Sequence, residues 1–95
     1  MRFWHYGEEF SVDAKSIIEK STVNDLLDEI CLIYNTHNDG EEDEEETLMI
    51  IYDDEGKLSA MLINKLGEHE DLEIIFKSAT EKNELISYFD SLKNP

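Results

Sequence analysis

The sequence predicts an α+β fold, in which an antiparallel meander of three or four strands is covered by two or three helices. Two stretches place apolar residues at the spacing of an amphipathic helix, and three apolar runs lie between them. The turn sequence Asp53-Asp54-Glu55-Gly56 separates the first two runs and predicts a tight hairpin. Consecutive hairpins form a meander, and its apolar face needs helices to cover it.

The first twenty residues fit more than one structure. Phe3–Tyr6 is a candidate fourth strand, and the stretch 10–14 alternates between apolar and polar residues as a strand does. Ala14, Ile17 and Ile18 also fit a short helix, so both alternatives stay open at this point.

An amphipathic helix is predicted from about Val23 to Asn35. Its apolar stripe consists of Val23, Leu26, Leu27, Ile30, Ile33 and Tyr34. Thr22 is a suitable N-cap residue, and Asp25 follows three positions later, close to the pattern of a capping box. Asp25, Asp28 and Glu29 then fall on the solvent face of this helix.

Three strands are predicted after this helix, at Leu48–Tyr52, Leu58–Ile63 and Leu72–Phe76. A longer loop at 65–71 is expected between the second and the third. A final helix is predicted from about Thr80 to Lys93. Leu85, Phe89 and Leu92 form its apolar stripe, and Ser78 with Glu81 can cap its start.

Length and composition indicate a single domain over residues 1–95. The single cysteine, Cys31, rules out an internal disulfide and fits a reducing compartment. No apolar stretch is long enough for a signal peptide or a membrane span, so we expect a cytoplasmic protein. No phosphate-binding glycine loop and no nucleophile motif occurs, so we expect no enzymatic activity and no cofactor.

The charge balance is the feature that bears most on function. The chain has 24 acidic and 8 basic residues, a formal net charge of −16, whereas solubility needs a magnitude of about 2–8. Seven of the acids fall between positions 39 and 46, in a predicted acidic loop at about 36–46. Because self-repulsion at this density costs stability, we expect the charge to serve a basic protein partner.

The meander brings two acidic segments to one end of the sheet. The acidic loop enters the first strand, and the 65–71 loop leaves the second strand at the same end. The expected partner-binding residues are Asp39, Glu41, Glu42, Asp43, Glu44, Glu45, Glu46, Glu68, Glu70 and Asp71, with Asp25, Asp28 and Glu29 on the helix. The simpler alternative is a solvated loop that aids solubility.

Three other groups have both a structural and a functional interpretation. Residues 35–46 follow the spacing of an EF-hand loop but depart from it at several ligand positions, which favours an acidic turn. His37 and His69 are expected at the acidic end as surface histidines rather than metal ligands. Cys31 is expected to be a small buried apolar residue, and the aromatic residues of 3–6 to be core more often than interface.

In size, charge, lone cysteine and mixed helix–sheet pattern, the chain resembles the small acidic immunity proteins of bacterial toxin systems, such as contact-dependent growth inhibition. That resemblance implies a stoichiometric inhibitor, a monomer or weak dimer, that occludes the basic active site of a nuclease toxin. It carries no motif, so it assigns no site residues. The alternatives are a phage-type nucleic-acid mimic that inhibits a DNA-processing or defence enzyme, a calcium- or metal-binding module, and a subunit of a larger assembly.

Overall fold

The computed structural model describes residues 1–5, 8–26, 29–36, 46–64 and 66–93. The strands within these ranges are β1 (Arg2–His5), β2 (Glu8–Ser11), β3 (Thr22–Leu26), β4 (Glu29–Thr36), β5 (Glu46–Tyr52), β6 (Leu58–Ile63), β7 (His69–Leu72) and β8 (Ile74–Ile75). The helices are α1 (Ala14–Lys20) and α2 (Ala79–Lys93). Neither of these helices is long and apolar enough to cross a membrane.

The main sheet has five strands in the order β3-β4-β5-β6-β7, and every neighbouring pair is antiparallel. A small sheet has the order β2-β1-β8. The predicted α+β class, with an antiparallel meander covered by helices, is therefore confirmed. The meander is wider than predicted because one predicted helix is a pair of strands.

The helix predicted from Val23 to Asn35 is wrong, since this stretch forms the antiparallel pair β3 and β4. Its apolar positions match a helical period, but Ile30-Cys31-Leu32-Ile33-Tyr34 is also an unbroken apolar run rich in β-branched residues. Such a run suits a strand with neighbours on both sides. β4 has that position, between β3 and β5.

The loop predicted at 65–71 is shorter in the structure. Asn64 Oδ1 accepts hydrogen bonds from the backbone N–H groups of Leu66 and Glu68, both at 3.0 Å. Gly67 closes the turn with a φ of 85°, a conformation that glycine adopts without strain. Asp53 builds the turn before β6 in the same way, accepting from Glu55 at 3.0 Å and Lys57 at 2.8 Å.

The predicted third strand, Leu72–Phe76, is divided between the two sheets. β7 pairs with β6 only as far as Leu72, and Ile74 then pairs with Phe3 in the small sheet. Glu70 and Asp71, expected in a loop, are strand residues of β7.

The final helix agrees with its prediction. α2 covers Ala79–Lys93, and the backbone N–H of Glu81 donates to Ser78 Oγ at 3.3 Å. In the N-terminal region both alternatives occur in turn, since Phe10 is in β2 and Ala14 begins α1. Phe3 is in a strand, as predicted, but β1 belongs to the small sheet rather than to the meander.

One face of the main sheet packs on the helices. The buried core combines Leu32, Leu48, Ile50 and Leu62 of that face with Ile17, Leu85 and Phe89 of the helices and Phe3 of the small sheet. Tyr52 stacks on Phe89 with ring centroids 5.0 Å apart, and its hydroxyl donates to Asp90 at 2.9 Å. That hydrogen bond, together with burial, raises the pKa of Tyr52.

Candidate partner-binding surface

The opposite face of the main sheet is also apolar. Successive strand residues point to opposite faces, so the neighbours of the core residues point away from the helices. We call this side the outer face; its apolar members are Cys31, Ile33, Met49, Ile51, Met61 and Ile63. All of them lie outside the core cluster, and all except Cys31 are partly exposed.

Strand register makes these side chains one continuous patch. Ile33 lies opposite Met49, and Met49 opposite Met61, across the three central strands. Cys31 lies opposite Ile51 in the next row. Directly opposed side chains in an antiparallel sheet are about 4.5–5.5 Å apart at Cβ, so the six residues shield one another while leaving a common surface.

Cys31 lies at the base of this patch rather than on its surface. Its side chain is 1% exposed, and burial raises the pKa of its thiol, with a further contribution from the charge of Glu29. A buried thiol with a raised pKa is a poor nucleophile, so its contribution here is to packing. The expectation that Cys31 is a small buried apolar residue is confirmed.

Polar residues surround the patch at the edges of the sheet. Thr47 Oγ1 and Asn35 Oδ1 lie 3.5 Å apart at one end, beside the partly exposed Ile63. Asp71 on β7 and Glu29 at the start of β4 are exposed and, by register, on the outer face. An apolar centre with a polar, acidic rim is the general layout of a protein–protein interface.

The register also determines which acids lie together. Thr36 pairs with Glu46 and Ile63 with His69, so the segment 37–45 and the turn before β7 connect strands at the same end of the sheet, as predicted. Glu68 is exposed in that turn, whereas Glu46 and Glu70 are partly buried. Asp39 and the acids of 41–45 lie outside the described residues.

The remaining predicted site residues are elsewhere. Asp25 and Glu29 were expected on a helix, but they are strand residues of β3 and β4. The register pairs Asp25 with Ile30 and Glu29 with Leu26, at the end of the sheet opposite Glu46. They are closer to the turn of Asp53 than to Glu46. Asp28 lies outside the described residues. Of the predicted partner-binding acids that the structure describes, Asp25 and Glu29 therefore lie at one end of the sheet, and Glu46, Glu68 and Glu70 lie toward the other.

The structure describes only part of the other candidate sites. His69 is exposed at the start of β7, while His37 and most of the EF-hand-like segment lie outside the described residues. Within the described ranges, no group of three or more His, Cys, Asp or Glu side chains is placed to hold a metal ion. Phe3 is core as expected, but Trp4 is 49% exposed and is available as an interface residue.

The outer face was not predicted from the sequence, although a signal for it was present. A half-buried strand alternates between apolar and polar residues, yet Leu48–Tyr52 and Ala60–Ile63 are unbroken apolar runs. Such runs indicate strands with two apolar faces, and the two helices among the described residues pack on only one of them.

No protein family matches this chain. No curated protein and no solved structure matches it either.

Proposed function

We propose that the protein is a stoichiometric inhibitor of the immunity or antitoxin type, which occludes the basic active site of a nucleic-acid-acting toxin such as a nuclease. The observation that carries this proposal is the apolar outer face in a molecule of net charge −16. Carboxylates in this arrangement take the places that phosphates occupy in the toxin, and the apolar patch holds the complex together.

The negative charge and the apolar outer face act on different steps of binding. Charge acts at a distance of about one Debye length, roughly 8 Å at physiological salt, and raises the rate of association. Apolar contact acts only after docking and lowers the rate of dissociation. A second copy of this chain fits the face poorly as a partner, because it brings the same net charge of −16.

The experiment starts with capture of the partner. The immobilised protein is exposed to extract of the cell that makes it, and retained proteins are identified by mass spectrometry. The purified partner is then assayed for nuclease activity while the inhibitor is titrated. Inhibition complete at one equivalent supports the proposal, whereas a partner without activity on nucleic acid contradicts it.

The same titration distinguishes the nucleic-acid mimic. An immunity-type inhibitor acts on one cognate enzyme, since its apolar contacts must match the surface of that enzyme. A mimic presents charge that many nucleic-acid-binding enzymes accept. Inhibition of several unrelated nucleases at similar concentrations therefore favours the mimic and contradicts the immunity proposal.

A further inference from the structure

A groove opens where the main sheet loses its last strand. β7 pairs with β6 from His69 to Leu72, and Leu72 lies opposite Ala60. The chain then crosses to the small sheet, where Ile74 pairs with Phe3. The first two residues of β6, Leu58 and Ser59, consequently have β5 on one side and no β7 partner on the other.

The backbone of Leu58 faces this vacated side. In an antiparallel pair, alternate residues of a strand direct their N–H and C=O groups to the same neighbour. Asp53 donates to the carbonyl of Lys57 at 3.1 Å, so odd-numbered residues of this segment bond toward β5. Asn64 donates to the carbonyl of Glu68 at 2.9 Å, so even-numbered residues bond toward β7. Leu58 therefore offers a donor and an acceptor to the groove.

Helix α2 forms the other wall. Lys82 and Ile86 are four residues apart, so they lie on one side of the helix, and both line the groove. Ile74 and Phe76 add partly buried apolar surface, and the groove encloses about 460 Å³. That volume is within the range of about 300–1,000 Å³ for ligand sites.

The charge of the groove is opposite to that of the molecule. Two of the eight basic residues, Lys57 and Lys82, line it, against one acid, Glu73. Both lysines are exposed, and neither belongs to an ion pair between described residues. On a surface of net charge −16, this pair of cations favours an anionic ligand.

We propose that this groove binds the carboxyl terminus of an extended peptide. The peptide backbone pairs with the free edge at Leu58, as in strand-addition recognition. Its terminal carboxylate accepts charge-assisted hydrogen bonds from the lysines. Its last side chain, an apolar one, packs on Phe76 and Ile86. This site is separate from the outer face, and the proposal does not depend on the inhibitor function.

Hydrogen exchange of the free protein tests the open edge. The Leu58 amide should exchange much faster than the amides of Ala60 and Leu62, which are paired with β7. Equal protection of these three amides would overturn the proposal, because the edge would then be occupied.

Binding is tested by NMR with acetylated tetrapeptides ending in valine, leucine or phenylalanine, each as the free acid and as the amide. Titration to millimolar concentration should shift the amide signals of Leu58 and Ile86 with at least one free acid. The matching amide should bind at least about tenfold more weakly, since it lacks the charge. No shift at Leu58, or equal affinity of acid and amide, would overturn the proposal.

Two controls make this result specific. Lys82→Gln should lower the affinity for the peptide free acid at least about tenfold. Lys15→Gln, the same charge change on α1, should leave that affinity unchanged. Isovalerate has the carboxylate and an apolar group but no peptide backbone. If it produced the same shifts at the same affinity as the peptide acid, the groove would be a simple carboxylate site and peptide recognition would be excluded.

Discussion

Glu81 joins the N-terminus to the starts of α1 and α2. Its carboxylate lies 3.0 Å from the amino group of Met1 and accepts the backbone N–H of Lys77 at 2.9 Å. Burial alone would raise the pKa of Glu81, but these contacts, with the N–H of Ala14, outweigh it and lower the pKa. One side chain thus fixes the first strand against the starts of both helices.

We predict that Glu81→Gln lowers the free energy of unfolding at pH 7 by about 1.5–3 kcal/mol, the usual contribution of hydrogen bonds to a charged group. Urea unfolding measures this loss. Glu84→Gln, an exposed change of the same type one turn away, should stay within about 0.5 kcal/mol of the parent. Equal effects of the two changes would mean that the contacts of Glu81 add nothing to the free energy of unfolding.

The pH dependence of this difference has a definite sign. Because the pKa of Glu81 is lower in the folded state, its contribution is complete above the ordinary value of 4.5 and is lost as pH falls through the folded pKa. The gap between parent and Glu81→Gln should therefore be constant from neutral pH to about pH 5 and narrow below it. A gap that stays constant into strong acid would contradict this assignment.

At the scale of the elements, the two faces of the central strands differ in what they contribute to folding. Met61 and Leu62 are adjacent on β6 and point to opposite faces, one partly exposed and one 4% exposed within the core. The same substitution made at each of these two neighbours therefore tests the outer face and the core separately.

We predict that Met61→Thr costs less than about 1 kcal/mol of stability, because threonine suits a strand and the site is partly exposed. Leu62→Thr should cost about 2–5 kcal/mol, since it leaves a cavity and buries a hydroxyl. Thermal or urea unfolding of the two variants measures both values. Similar large losses would mean that the outer face is a second core rather than an interaction surface.

Local signals were enough to predict part of these elements. Gly56 and the acids before it determine a hairpin within five residues. Helix α2 has one clear apolar stripe, and Ser78 caps its N-terminus. The stretch 23–35 could not be assigned from periodicity, because its apolar run fits a helix and a buried strand equally. Pairing with β5 decided it, and that partner lies elsewhere in the sequence.

The candidate site could likewise be predicted only in part from the sequence. That the segment 37–45 and the turn before β7 connect strands at one end of the sheet was predictable, because a meander puts alternate connections at the same end. The positions of Asp25 and Glu29 were not predictable, because both residues fell on the misassigned helix. The outer face could not be predicted without knowing that the helices of the described ranges pack on only one side of the five-stranded sheet.

For the whole molecule, the net charge of −16 is a cost to folding that salt should reduce. We predict a higher melting temperature at about 0.5 M NaCl than at low salt, since the Debye length falls to a few ångströms. Each kcal/mol of relieved repulsion should raise the midpoint by about 4–8 °C in a domain of this size. A midpoint that is unchanged or falls would show that the acids are already compensated.

In the proposed complex, charge sets the rate of association and apolar contact sets the rate of dissociation, and stopped-flow binding of the captured partner measures both rates. Three proteins are compared at low salt: the parent, a variant with all six acids of 41–46 changed to amides, and Met61→Thr. Val23→Thr is the control for Met61→Thr, because its register with Leu32 places it on the other face at an exposed edge.

We predict that the amide variant associates at least about tenfold more slowly than the parent, with dissociation little changed. Met61→Thr should associate at the parent rate and dissociate about tenfold faster, while Val23→Thr should match the parent in both rates. Parent-like dissociation of Met61→Thr would contradict binding through the outer face, and parent-like association of the amide variant would contradict steering by the acidic segment.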